Sequence, residues 1–307
     1  MKHPKKIVLI LIAMFLVSQL IGILVISIYS PKTTQILDSE GNLVNVTSYN
    51  LPYGTEPPKD LAPQTSLFSI LISIAIAVFI ILMLMKFKAE IFLRVWFFVV
   101  VTIALGISFN AFLIQIPNSS IIAIVIALPL AVFKIFKRNI YVHNLTELLI
   151  YPGIGAIFVP LLNVWTAVLL LIVISLYDAY AVWHSGFMQK MAKYQMEKVR
   201  VFPGFLVPHL GKRDKGSLKI KIKKSSTKSS QIRIPVAILG GGDVVFPMIL
   251  AGTVLRQFGL VQALIVILGA TLALSLLFYF SKKGKFYPAM PFITSGCFVA
   301  LVLAFLV

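Results

Sequence analysis

Apolar stretches long enough to cross a lipid bilayer recur along almost the whole of this 307-residue chain. A transmembrane helix needs about 20 predominantly apolar residues. Nine stretches approach this length, and they are Ile7–Tyr29, Ser66–Met85, Ile91–Ile114, Ile121–Phe136, Thr146–Pro160, Leu162–Trp183, Pro235–Leu255, Leu260–Phe280 and Tyr287–Val307. The chain is therefore predicted to be an all-α membrane protein, a polytopic bundle of nine transmembrane helices.

Composition excludes several other classes of protein. Only 12% of the residues are charged, whereas a soluble domain has about 25%. A single cysteine, Cys297, excludes a disulfide framework and a cysteine-based metal site. The four histidines include no pair four residues apart, so a zinc peptidase is not expected. No metal and no cofactor are predicted.

The distribution of positive charge predicts the orientation. Of the 28 Lys and Arg residues, 25 fall in the N-terminal tail or in every second loop, and only Lys32, Lys59 and Arg256 lie on the other side. Cytoplasmic loops are the ones enriched in Lys and Arg. We therefore predict a cytoplasmic N-terminus, an outside C-terminus and a multi-pass location in the cell membrane. The net charge of +18 is assigned to contact with anionic headgroups of the bilayer, and no nucleic-acid partner is expected.

Two of the ten acidic residues, Asp178 and Asp243, lie well inside predicted spans. A carboxylate at the bilayer centre costs about 2.5–3.5 kcal/mol on insertion scales, so such acids are candidates for function. Glu147 begins the weakest span, and it is predicted to be interfacial and structural.

Depth brings the two acids together. Asp178 lies 12 residues before Lys190, and Asp243 lies 10 residues after Arg233. At 1.5 Å per residue, both acids lie about 15–18 Å from the cytoplasmic charges. Since one loop joins these two spans, the carboxylates are expected to face each other and to share one proton. Such a pair can activate a water and protonate a peptide carbonyl.

Three short motifs surround the acids. They are Tyr177-Asp178 on the sixth span, Gly240-Gly241-Gly242-Asp243 followed by Pro247 on the seventh, and Pro288-Ala289-Met290-Pro291 at the start of the ninth. Glycines allow another backbone to approach closely, which a protease needs when it holds an unwound substrate. Prolines leave backbone carbonyls without an internal donor.

Together these motifs resemble those of the presenilin and signal peptide peptidase family, the GxGD intramembrane aspartyl proteases. Leu239–Asp243 with Pro247 looks like the signal peptide peptidase form, and Pro291 looks presenilin-like, a mixture that suggests a single-chain microbial homologue. The sequence departs from the family at Met290, where the family has the near-isosteric Leu.

The resemblance implies hydrolysis of peptide bonds within transmembrane helices, with Asp178 and Asp243 as the catalytic pair. It implies that Tyr177, Gly240 and Gly242 support the pair, and that Pro288, Ala289 and Met290 shape the substrate site.

Two other functions use buried acids and stay open at this point. A proton-coupled transporter or leak channel predicts broken helices in both halves of the chain, but no second GGGD-like stretch occurs in the first half. A prepilin-type peptidase also has a GxGD motif, but it does not account for Pro288–Pro291.

The chain divides into a six-span bundle (1–184), a basic cytoplasmic loop (185–234) and a three-span C-terminal part (235–307). Within the loop, Lys219–Lys223 and Gln231–Ile234 alternate apolar and polar residues as half-exposed strands do. If they pair through a turn at Ser225–Ser230, a free edge beside Asp243 can accept an extended substrate.

Overall fold

The structure is a computed structural model. It describes all residues except 1–3, 38–42, 49, 59–61, 138, 186–190, 192–193, 200, 209–235, 282–286 and 307.

Helices dominate the described residues. Nine α-helices of 16 to 24 residues occur there, and their bounds are α1 (Lys5–Ile28), α2 (Pro63–Lys86), α3 (Glu90–Leu113), α4 (Ser119–Phe136), α5 (Ile140–Phe158), α6 (Val164–Tyr180), α7 (Gly241–Phe258), α8 (Leu260–Phe280) and α9 (Ala289–Ala304). A 3₁₀ turn, Val159–Leu161, follows α5, and π-helical turns occupy Ala181–Ser185 and Gln195–Val199.

Seven helical segments of the described chain are long and apolar enough to cross a membrane. They are Lys5–Ile28, Pro63–Lys86, Glu90–Leu113, Ser119–Phe136, Ile140–Leu161, Val164–His184 and Leu260–Phe280. Of the other two helices, α7 contains Asp243 and Arg256, and α9 has only 16 residues. The prediction of a multi-helix membrane fold is confirmed, whereas nine spans and the orientation of the termini stay predictions.

Small residues bring neighbouring helices into close contact, as is usual in membranes. A Cβ at Gly153 of α5 would overlap the carbonyl oxygen of Ala104 on α3. On α8, a Cβ at Gly269 would lie 2.6 Å from the carbonyl oxygen of Gly296 on α9. α2 packs much less tightly, since only 11% of its apolar window is buried, compared with 28–50% for the other six spans.

Two antiparallel hairpins complete the described structure. β1 (Lys32–Leu37) pairs with β2 (Leu43–Ser48), and β3 (Gly204–Pro208) pairs with β4 (Val236–Gly240). In the second hairpin, Gly204 lies opposite Gly240, and Pro208 lies opposite Val236.

β4 corrects the predicted seventh span. The sequence predicts a membrane helix over Pro235–Leu255, but residues 236–240 are extended and the helix begins at Gly241. The reason is a long-range pairing with β3, and the continuous apolar run hid it because a buried strand and a buried helix look alike in such a run. The predicted strands Lys219–Lys223 and Gln231–Ile234 and their turn at Ser225–Ser230 lie outside the described residues, and the three-part division of the chain stays a prediction.

Glu147 is buried inside the protein, where it is only 1% exposed. Its depth relative to the membrane interface stays a prediction. Its Oε1 lies 2.5 Å from Nζ of Lys134, which α4 brings alongside α5. This ion pair was not predicted from the sequence, because the two residues lie on different helices.

Candidate active site

Asp178 lies near the C-terminal end of α6, the end that is predicted to face the cytoplasm. The helix begins with a capping box, in which the side chain of Asn163 accepts from the N–H of Thr166 and the Thr166 hydroxyl accepts from the N–H of Asn163. This cap fixes where the helix starts and therefore which face Asp178 occupies. The residue is only 5% exposed.

The start of α9 supplies the partners of Asp178. Its carboxylate Oδ2 accepts a hydrogen bond from the backbone N–H of Met290 at 3.1 Å, and Ala289 provides a second backbone donor. Pro288 is the N-cap of α9 and Pro291 its third residue, a place where a missing N–H breaks no helical hydrogen bond. The Pro288–Pro291 motif thus starts a helix whose free N–H groups bind the aspartate. From the sequence alone, the prolines predict free carbonyls there instead.

A second contact joins α6 to α9. The hydroxyls of Ser175 and Thr294 lie 2.7 Å apart in the buried interface. Ser175 is three residues before Asp178, and Thr294 is four residues after Met290, so both pairs share a helix face. This contact was not predicted, although the spacing of the two polar residues from the motif residues is a usable signal.

Asp243 occupies the first turn of α7. Gly240 is the N-cap of this helix, and its backbone N–H is hydrogen-bonded to the Asp243 carboxylate. A Cβ at Gly240 would lie 3.2 Å from Oδ2 of Asp243, so any side chain there would press on the carboxylate. The charges of Asp178 and Asp243 interact, and the structure therefore brings the two predicted acids together.

Gly241 and Gly242 have different surroundings. A Cβ at Gly241 would meet the ring of Tyr151 at 3.0 Å, and the Gly241 N–H donates to the carbonyl of Pro203 at 3.1 Å. Gly242 is exposed, and a Cβ there would meet only the Phe246 ring, at an ordinary 3.4 Å. Gly241 is thus required for packing, whereas the space at Gly242 is open.

Two further motif residues lie beside the acids. Tyr177 is 36% exposed and its phenol interacts electrostatically with Asp178. Pro247 is buried within α7. One turn earlier, the carbonyl of Val244 accepts from Nε2 of the buried Gln19 at 2.8 Å, a contact from α1 that no sequence signal indicated.

The β3–β4 hairpin leads to Asp243. The side-chain amide of Asn144 accepts from the Leu206 N–H at 3.0 Å and donates to the Leu206 carbonyl at 2.8 Å. The backbone groups of Leu206 therefore point toward α5 and away from β4. Its register partner Ile238 accordingly directs its own N–H and carbonyl away from β3, because the backbone groups of a non-hydrogen-bonded antiparallel pair both point outward.

The outer edge of β4 is therefore a row of backbone groups that ends at the aspartate. Ile238 and Gly240 both face this edge, and the Gly240 N–H reaches Asp243. Among the strands that the structure describes, none pairs with this edge.

An apolar cavity of about 270 Å³ lies beside the glycines. It is bounded by α2, α5, α6 and α7, and its lining includes Ile74, Tyr151, Leu170, Gly242 and Phe246. The cavity therefore lies between the glycines of the GGGD motif and the loosely packed helix α2. No group of three His, Cys, Asp or Glu residues that could hold a metal occurs in the part of the chain that the structure describes.

The fold and the site together define a class. Apolar helices surround two interacting aspartates on neighbouring helices, with glycine backbone and a cavity next to them, as in intramembrane aspartyl proteases. The family model for signal-peptide peptidase, presenilin aspartyl protease matches residues 43–307, and the chain belongs to this family. This confirms the resemblance drawn from the motifs.

Solved structures of the same family share the fold. Two crystal forms of a presenilin family intramembrane aspartate protease, C222 and P2, each align with a TM-score of 0.59 and 17% identity. The first alignment covers 97% of this chain and 98% of that one, and the second covers 96% of each. No curated protein matches this chain in sequence. The matches support an integral, multi-pass membrane protease, and they give no support to a transporter or a prepilin-type peptidase.

Proposed function

We propose that the chain hydrolyses peptide bonds within transmembrane segments, using Asp178 and Asp243 as a dyad that activates a water. The observation that carries the proposal is the placement of Asp178 on α6 and Asp243 on α7, close enough for their charges to interact. Each carboxylate lies next to the N-terminal end of a helix. Asp243 is in the first turn of α7, and Asp178, which belongs to α6, contacts the start of α9. Both helix ends favour negative charge, so the site suits a pair that holds one proton and one negative charge.

The reaction follows from that shared proton. The ionised aspartate takes a proton from the water, while the protonated aspartate donates to the scissile carbonyl oxygen. The water oxygen attacks the carbonyl carbon and a neutral diol forms. Its collapse breaks the C–N bond, and the amine leaves with a proton from the dyad. No covalent enzyme intermediate, metal or cofactor takes part.

The substrate is held as an extended strand. A transmembrane helix hides its peptide bonds, so the protease has to unwind it before attack. We propose that the unwound segment pairs with the outer edge of β4, where the backbone groups of Ile238 have no partner among the described strands, and that its side chains use the cavity beside Gly242. The loose packing of α2, whose Ile74 lines that cavity, supports access from the bilayer. The cell membrane is the proposed location.

The decisive experiment is a cleavage assay in liposomes with a single-span peptide as substrate. Asp178→Asn and Asp243→Asn should each lower the cleavage rate by about 10²–10⁴-fold, the contribution usual for acid–base groups. The exposed acid Glu56 provides a matched control, because Glu56→Gln should keep the wild-type rate. The thermal unfolding temperature in detergent should be unchanged or raised in the Asn variants, since each removes an ionisable acid from among apolar helices. Substantial cleavage by either folded Asn variant would contradict the dyad.

A further inference from the structure

The hairpin that leads to Asp243 is itself held by a buried polar cluster on α4 and α5. Four residues of α5 lie on one helix face, at spacings of one, three and four residues, and they are His143, Asn144, Glu147 and Tyr151. Lys134 joins them from α4, and it is buried together with Glu147.

Hydrogen bonds assign a role to each group of the cluster. Nε2 of His143 lies 2.8 Å from the carbonyl oxygen of Gly204. A carbonyl can only accept, so Nε2 carries the proton, and Nδ1 of the neutral ring is then an acceptor. The ammonium of Lys134 lies 3.3 Å from that Nδ1 and 2.5 Å from Glu147. The ion pair thus fixes the tautomer in which His143 donates to β3.

Asn144 reinforces the same strand. With its two bonds to Leu206 and the bond from His143 to Gly204, α5 holds every outward-facing residue in the first three positions of β3. The side chains therefore act as a substitute strand along this edge. As far as the described strands go, this leaves the opposite edge of the hairpin, on β4, unpaired.

The hairpin is in turn connected to the aspartate. The carbonyl of Pro203, directly before β3, accepts from the N–H of Gly241 at 3.1 Å. The ring of Tyr151 packs edge-on against Phe205 at 5.4 Å and touches Gly241. Its hydroxyl makes no hydrogen bond of standard geometry, but it interacts electrostatically with Glu147 and Asp243. A shift of β3 therefore moves the first turn of α7.

We propose that His143, Asn144 and the Lys134–Glu147 ion pair form a positioning unit, which fixes the β3–β4 hairpin and through it the alignment of Asp243 and the substrate. These residues do not touch the reacting atoms. The inference rests on the proposed function for its cleavage assay, but the placement of the hairpin can be measured independently of any activity.

The first test uses hydrogen exchange of the full chain in detergent. In His143→Leu, exchange over residues 204–208 should rise by about tenfold or more, because one of the strand's anchors is lost. His143→Gln should restore protection, since its amide nitrogen reaches about as far as Nε2, and the shorter His143→Asn should not. The control is Tyr29→Phe, which removes a buried 2.8 Å hydrogen bond to the carbonyl of Ile107 in a separate apolar cluster. It should leave exchange at 204–208 unchanged.

The second test is cleavage of a single-span peptide by the same variants. Folded His143→Leu should cleave about 10- to 100-fold more slowly, because misalignment at the reacting centre costs rate, and its cut positions should spread over neighbouring bonds. His143→Gln should recover both rate and cut position, and Tyr29→Phe should match wild type. If His143→Leu does not fold, the comparison of His143→Gln with His143→Asn replaces it.

The two failures are distinguishable. A wild-type chain that cleaves no single-span peptide contradicts the proposed function, and the exchange experiment then decides the positioning unit alone. A wild-type chain that cleaves, combined with His143 variants that behave like Tyr29→Phe in exchange and in cut position, overturns the positioning unit and leaves the dyad intact.

Discussion

Gly242 differs from the two glycines before it, because no contact among the described residues requires a glycine there. A side chain at Gly240 would press on Asp243, and one at Gly241 would press on Tyr151, whereas a Cβ at Gly242 has room and points into an exposed region that borders the cavity. If substrate backbone passes over Gly242, as we propose, the absence of a side chain there serves catalysis and not folding.

Gly242→Ala tests that distinction. We expect thermal stability in detergent to stay within the range of a mild helix substitution, about 1 kcal/mol, while cleavage falls by about 10²-fold because the substrate is displaced from the dyad. Gly241→Ala serves as the contrast, since it should lower stability as well as activity. Unimpaired cleavage by Gly242→Ala would place the substrate elsewhere in the cavity.

The two aspartates should show their pairing in the pH dependence of kcat/KM. The reactive form holds one proton, so activity is lost at low pH when both carboxyls are protonated and at high pH when both are ionised. We expect a bell-shaped pH profile of kcat/KM whose two apparent pKa values belong to the pair. Both limbs of the profile should move when Asp178→Glu changes the geometry. Initial rates over about pH 4–9 provide the measurement, and a flat profile across that window would contradict a shared proton.

At the scale of elements, the pairing of β4 with β3 determines which backbone groups of β4 face outward. Hydrogen bonds from α5 hold the far side of β3, so the antiparallel register leaves the backbone of Ile238 on the free edge. A proline tolerates such an edge position, whereas it breaks the ladder at an inward-facing residue. The register therefore predicts that Ile238 can be replaced by proline without opening the hairpin.

Ile238→Pro should reduce cleavage while the hairpin survives. The variant removes one free-edge donor, a loss of about 1 kcal/mol, or about fivefold in kcat/KM, before any change in substrate register. Ile238→Ala keeps the N–H and serves as the control for the lost side chain, which is 37% exposed. Equal activities of the Pro and Ala variants would contradict main-chain pairing of the substrate with this edge. The glycines and α9 alone would then hold the substrate.

At the scale of the whole molecule, the distribution of charge predicts which loops face the cytoplasm. The native Cys297 is buried, so single engineered cysteines can report on sidedness. In intact cells, a membrane-impermeant thiol reagent should label Glu56→Cys, in the loop predicted outside, and should leave Lys86→Cys unlabelled until the membrane is opened. Both positions are exposed. Labelling in the reverse order would invert the predicted topology.

Helices, their approximate bounds and the two aspartates follow from the sequence alone. A membrane span is a local property of about 20 residues, and α8 coincides with the predicted Leu260–Phe280 for that reason. A buried acid is likewise visible in one stretch of sequence, because its cost in an apolar environment does not depend on its partner. The equal depth of Asp178 and Asp243 stays a prediction, because it counted a helical rise through residues 236–240, which form a strand.

Pairings between distant segments were decided by the tertiary structure. The run before Asp243 is equally apolar whether it is helical or extended, and only β3, more than 25 residues earlier, makes 236–240 a strand. Lys134 and Glu147 could be joined only once α4 and α5 lay side by side. The backbone N–H groups of Ala289 and Met290 donate to Asp178 because α9 starts against α6. Each of these contacts depends on where two separate chain segments meet, and hydropathy and motif spacing, which describe one segment at a time, contain no information about that meeting.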